Sequence, residues 1–197
     1  MISVADRVIH AIEAYARGEF EFALEDAAVA VDISAQRYFK KTRSSKADYK
    51  AFLNHYLWLI ELMALNGIDL QNSVFSNFTI PGVQVTGISD ILYHVVRCGL
   101  VHSTGLPVNL AFTSGRHAVF AHEFIALPAQ VIWGLLATVV FAKVNSQEVS
   151  RGDYFLSYEE NRFPIRDYWG REDLIRPFYD KYVQVRVTLN MAPFDKL

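Results

Sequence analysis

The chain has 197 residues, with 19 Lys and Arg against 21 Asp and Glu, a formal net charge of −2, and 52% hydrophobic residues. That length suits one domain, or at most two small ones. It buries roughly 70% of the surface an unfolded chain exposes, so no disulfide or metal staple is required. The single cysteine, Cys98, excludes an intrachain disulfide, and the near-zero charge excludes a uniformly basic nucleic-acid binder while leaving room for a local basic patch. The hydrophobic surplus needs a large core, a partner or a membrane to absorb it.

The first twenty residues carry Asp6 and Glu13 inside their apolar run, which does not fit a signal peptide. Ser3 followed by Asp6 resembles a capping box and predicts a helix from Val4 to Ala16, broken by Gly18. The alanine-rich stretch Glu19 to Lys41 has Phe20, Ala23, Leu24, Ala27, Ala28, Val31 and Ala35 at helical spacing, which predicts one long amphipathic helix. A third helix is expected to begin near Ser45 or Asp48 and to stop at Asn66-Gly67. Ile68 to Gly87, with Pro81-Gly82, reads as a loop, and a fourth helix follows from Ser89 to about Ser103. Val108 to Phe112 and Arg116 to Phe124 flank Ser114-Gly115 and predict a β-hairpin. Pro128 is expected to open an apolar fifth helix. Its uninterrupted part, Val131 to Ala142, would be about 18 Å long against about 30 Å of hydrocarbon, so it reads as a core helix and not as a membrane span.

The last fifty residues are rich in aromatics, among them Tyr154, Phe155, Tyr158, Phe163, Trp169, Phe178, Tyr179 and Tyr182. They read as an irregular, loosely attached segment wrapping a surface, with Val183, Val185 and Val187 alternating like a short terminal strand. The expected architecture is a single, mainly α domain, an antiparallel helical bundle with a small β-hairpin. Residues 1–105 form its core helices, 106–126 the hairpin, 127–147 the apolar helix and 148–197 the irregular aromatic C-terminal segment.

The fourth helix holds the chemistry. Ile88, Ile91, Leu92, Val95, Val96 and Gly99 form one apolar stripe, and Arg97 points nearly opposite its middle, amid Tyr93, Leu100 and Val101. An arginine on a second apolar face should meet a carboxylate, a carbonyl or a phosphate, because an unpaired buried charge is costly. His102 lies five positions on, about 140° around a straight α-helix. The two side chains converge only if the helix ends near His102, as Thr104-Gly105 suggests, or if a second copy packs alongside.

The string LYHVVRCGLVHST resembles the signature of HEPN (higher eukaryotes and prokaryotes nucleotide-binding) domains, an arginine followed after four to six residues by a histidine near a helix end. The alanine-rich segment GEFEFALEDAAVAVDISAQRYF is similar to their second helix, and the resemblance spans roughly Asp6 to Thr104. It implies a HEPN-like bundle that dimerises through the Arg97 helix. In active members two Arg/His pairs share a cleft that cuts RNA without metal. Histidine can move the 2′-hydroxyl proton or protonate the leaving oxygen, and arginine binds the phosphate and stabilises the developing charge. Active members usually carry a polar residue directly after the arginine, where this chain has Cys98, a weak donor.

Each candidate also has a plain structural role. Arg97 can pair with an acid across an interface, and His102 can cap a helix C-terminus. His94 can line the same cleft or be a half-exposed interface histidine. Asp32 can pair with Arg97, orient a histidine, or simply face solvent. Arg37, Lys40, Lys41, Arg43, Lys46 and Lys50, interrupted only by Asp48, can grip RNA phosphates or be a solvated helix end. His117 and His122 would face opposite sides of a strand, so no metal site is expected, and no cofactor motif is present. The expectation is a cytoplasmic, homodimeric, HEPN-like protein without a membrane segment, an endoribonuclease of a toxin or defence system with RNA and an antitoxin protein as partners. The alternative is a non-catalytic HEPN-like module that binds a nucleotide or a protein.

Overall fold

The computed structural model describes residues 3–65, 67–78, 80, 83–100, 109–113, 115, 117–121 and 124–191, without the side chains of 98–100, 109 and 110. The chain is predominantly helical, with three small sheets. Helix α1 (Val4–Ala16) starts at a full capping box, in which Ser3 Oγ accepts from Asp6 N and Asp6 Oδ2 accepts from Ser3 N, each at 3.0 Å. Gly18, at φ 77°, makes the left-handed turn into α2 (Phe20–Tyr38). That helix is shorter than the Glu19–Lys41 expectation. It ends in a Schellman turn, with Lys40 N bonded to Arg37 O and Lys41 N to Gln36 O, and this puts Lys40 at φ 54°. Helix α3 (Lys46–Met63) repeats the capping box with Ser45 and Asp48.

The apolar helix α5 (Val131–Val140) packs between α2 and α3, with every residue but Trp133 buried. The small residues of α2 allow this closeness: Ala23, Ala27, Ala28, Ala30, Val31 and Ala35 are fully buried. On α5 itself, a Cβ at Gly134 would come within 3.0 Å of Ile60 Cα, so only glycine lets α3 cross there. Among the described residues no helix is long and apolar enough to cross a membrane.

Four expectations are corrected here. The two strands flanking Ser114-Gly115 do not pair with each other. Strand β2 (Asn109–Thr113) runs parallel to β4 (Phe124–Pro128), and β3 (Val119–Ala121) runs antiparallel to it. The central strand is β4, because its Ile125, Ala126 and Leu127 are the buried apolar run. Pro128 ends β4 and does not open α5. It lies beyond the stretch that β3 reaches, where a missing N–H is tolerated.

The C-terminal segment, expected to be irregular and loose, is ordered and packed. Strands β5 (Phe155–Tyr158) and β6 (Asn161–Pro164) form a hairpin, followed by α6 (Ile165–Tyr168) and α7 (Glu172–Tyr182). Its aromatic rings pack on one another: Phe163 lies 5.1 Å from Phe178 and 5.5 Å from Tyr168. The terminal strand is displaced from the valine alternation to β7 (Asn190–Met191), parallel to β1 (Val74–Phe75). A buried carboxylate fastens this tail to α3. Glu61 is fully buried and accepts from Leu70 N, Tyr179 Oη and Arg186 Nη2 at 2.8–2.9 Å, and the same Nη2 reaches Asp69 at 2.8 Å. One contiguous hydrophobic core therefore runs from Val4 to Val183.

Candidate functional site

The expected fourth helix begins as α4 (Ile88–Ile91) and continues without a break as a nine-residue π-helix, Leu92–Leu100. Asp90 caps its start. It accepts from Thr86 N, Thr86 Oγ1 and Gly87 N, and pairs with Lys50 of α3. Burial alone would raise the Asp90 carboxyl, but the Lys50 ammonium and the Thr86 donors outweigh it and hold it below the ordinary range. The apolar stripe does face the core: Ile88, Ile91, Leu92, Val95 and Val96 are buried. Regular π-helix is rare and is found mostly as short insertions, frequently at functional sites.

Arg97 lies on this π-wound stretch and meets α2. Its Nε lies 3.4 Å from Asp32 Oδ1, with both side chains about one-fifth exposed. Its guanidinium also lies 5.5 Å from the centroid of the Tyr93 ring, near enough for a cation–π contact. Asp32 is a hub: Ser44 Oγ donates to the same Oδ1, and Gln36 Nε2 donates to Oδ2 at 3.1 Å. The arginine therefore has a carboxylate, as its apolar surroundings require, and Asp32 is an acceptor at a helix–helix seam and not a solvent-facing aspartate.

Tyr93 also meets the start of α3. Lys46 Nζ is 5.9 Å from the same ring centroid, and the Tyr49 ring stands edge-on at 5.5 Å. His94 is half-buried, and its Nε2 is buried without a hydrogen-bond partner among the described residues. Its pKa is pulled down by burial first, then by the Lys46 and Lys50 ammonium groups, with Asp90 acting the other way. The charges that act on it are those of Lys46 and Lys50 on α3 and of Asp90 on α4.

The remaining expected residues divide. The backbone of Cys98 belongs to the π-helix, but its side chain lies outside the described residues, as does the whole of His102, so the Arg97–His102 pairing falls outside them too. Of the basic run, Arg37 turns inward, bonding Asn145 Oδ1 at 2.8 Å and Glu148 Oε1 at 2.7 Å. Lys41 is held by Asp48 at 2.7 Å and Lys50 by Asp90. Lys40, Arg43 and Lys46 are exposed and make no ion pair among the described residues, and Lys46 and Arg97 lie near the same Tyr93 ring. Sequence reasoning missed Ser44 and Gln36 as partners of Asp32. Gln36 had a signal, its four-residue spacing on the same helix, whereas Ser44 had none, because the loop that carries it folds back only in three dimensions.

Two openings flank α3 beside this cluster. One, of about 280 Å³, is lined by Lys50, Asn54, Gln71, Asn72, Ser73, Thr86, Ser89 and Asp90, among others. The other, shallower, is lined by Lys46, Ala47, Lys50, Ala51 and Asn54.

A family model described as Rv1289 matches residues 3–194. Uncharacterized proteins of Mycobacterium bovis and of Mycobacterium tuberculosis are each 28% identical over 184 residues, covering 89% of this chain and 87% of theirs. No solved structure matches the chain significantly.

Proposed function

The chain belongs to the Rv1289 family, and from its site we propose that it is a HEPN-like, RNA-binding protein of the cytoplasm. It acts as a metal-independent endoribonuclease through Arg97 and His102. The observation that carries this reading is Arg97 on a π-wound helix, oriented by Asp32 and Tyr93 beside the exposed cation Lys46. Arg97 takes the phosphate and offsets charge in the transition state. His102 takes the proton of the neighbouring 2′-hydroxyl as that oxygen attacks phosphorus, and the 5′-oxygen leaves and takes a proton from water, giving a cyclic phosphate and a 5′-hydroxyl. Two copies pair through this helix so that both sites share a cleft, and a small antitoxin protein is the partner that would cover it.

A specific feature favours a second reading, a non-catalytic module that binds a nucleotide or a protein. Cys98, a weak donor, stands where active members of the resembling family carry a polar residue. The test is incubation of the full chain with RNA in EDTA beside Arg97→Ala and His102→Ala. The proposal expects cyclic-phosphate ends from the unaltered chain and at least a hundredfold slower cleavage in both variants. Equal cleavage by all three proteins, or none by any, overturns the enzyme. Nucleotide binding lost only in Arg97→Ala would leave the binding module standing.

A further inference from the structure

We infer that the groove on the outer face of α3, from Lys46 to Asn54, is a second nucleotide subsite. It seats the nucleotide next to the one held at Arg97 on a single RNA strand, with its phosphate against Lys46 and its base in the cavity lined by Asn54, Gln71, Asn72 and Ser89. The inference rests on the Arg97 reading and extends it.

The first support is continuity. The two openings beside α3 share Lys50 and Asn54, so they adjoin along that helix. Lys46 Nζ and the Arg97 guanidinium lie 5.9 and 5.5 Å from the same Tyr93 ring centroid, so the track begins where the Arg97 site ends.

The second is chemistry. Lys46 is exposed and makes no ion pair among the described residues, so it can offer its charge to a phosphate. Beyond it the floor is Ala47 and Ala51, both exposed and both short, where a flat ring can lie close to the helix. At the far end the lining is mostly uncharged. Asn54 and Gln71 are exposed amides, and amide groups carry the donor–acceptor pairs that read base edges. The acid there, Asp90, is already committed to Lys50, Thr86 and Gly87, so its charge is offset and all its donors come from the protein.

The third is size. A cavity of about 150 Å³ takes a benzene ring. The opening of about 280 Å³ is nearly twice that, enough for a purine. Arg37 and Lys41 are not part of this track, because their charges are spent on Glu148 and Asp48.

The probes are a fluorescein-labelled short single-stranded RNA and free AMP, each titrated into the full chain. Lys46→Glu keeps the fold, since an acid in the first turn of α3 suits the helix dipole. It should weaken the RNA at least tenfold and lower the salt slope of binding by about 1. Ala51→Trp, at an exposed position, should block the track with a similar loss and no change in the thermal midpoint. Asn54→Leu should flatten the preference among bases. Unchanged RNA affinity and salt slope in both Lys46→Glu and Ala51→Trp, with loss in Arg97→Ala, overturns the subsite and leaves the Arg97 reading intact. Loss in the α3 variants with none in Arg97→Ala supports the track and overturns Arg97 as its anchor. No binding of either probe to the unaltered chain overturns both.

Discussion

Single side chains decide the character of the site. Asp32 can satisfy three donors only because Ser44, Gln36 and Arg97 come from a loop, its own helix and the π-wound segment. His94, on the same π-helix as Arg97, has a different consequence. Its pKa is lowered by burial and by Lys46 and Lys50. The unfolded chain therefore binds a proton near pH 6.5 that the folded chain refuses. Stability should fall as pH drops below about 6.5 and level off once pH passes below the folded value. Urea midpoints at about pH 7.5 and about pH 5.5 should differ for the unaltered chain, and that difference should shrink in His94→Phe. A variant with the same acid loss would show that another group is responsible.

At the scale of elements, the N-terminus of α3 positions Lys46, and the Ser45–Asp48 box sets that terminus. Asp48 is held down to about 2, first by the Lys41 ammonium and then by the Ser45 donors. A carboxyl with a depressed folded value stabilises fully above its unfolded value of about 3.9, and that contribution disappears as pH falls toward about 2. Ser45→Ala should cost about 1 kcal/mol at neutral pH by denaturant unfolding. Asp48→Asn should remove the part of acid unfolding that lies between those two values. Unfolding of Asp48→Asn that follows the unaltered chain throughout that window would show that the box contributes nothing. The stripe of Ile88, Ile91, Leu92, Val95 and Val96 was legible as a buried face. Its π winding was not, since the same apolar spacing satisfies an α-helix, and the choice between them is made by what packs around it.

Across the whole molecule, the aromatic tail proves to be part of the core. Arg186 reaches the fully buried Glu61 and the neighbouring Asp69 with one nitrogen. Arg186→Met would leave Glu61 with only Leu70 N and Tyr179 Oη. The expected loss is about 3 kcal/mol, the low end for a broken buried pair because the guanidinium is itself about one-third exposed. Adding Glu61→Gln should recover part of it. Denaturant unfolding of the single and double variants measures both, and a single variant as stable as the unaltered chain would show that the clasp is decorative. The hydrophobic surplus found in the composition is taken up here, in the rings of Phe141, Phe163, Tyr168 and Phe178, and in α5, where only Trp133 is not buried.

Local signals in the chain were enough to determine α1, the centres of α2 and α3, the apolar character of α5, and the need of Arg97 for an anionic neighbour. Those features depend on caps, periodicity and the cost of an isolated charge, all of which act within a few residues. Which acid answers Arg97, which lysines remain available, how three short strands pair and where the aromatic tail goes were settled only by tertiary structure. Each of these joins residues far apart in the chain, such as Asp32 with Arg97, Lys50 with Asp90 and Glu61 with Arg186. No local pattern ranks such partners. Burial chooses among them, because an enclosed charge must be offset by the groups that the fold brings beside it.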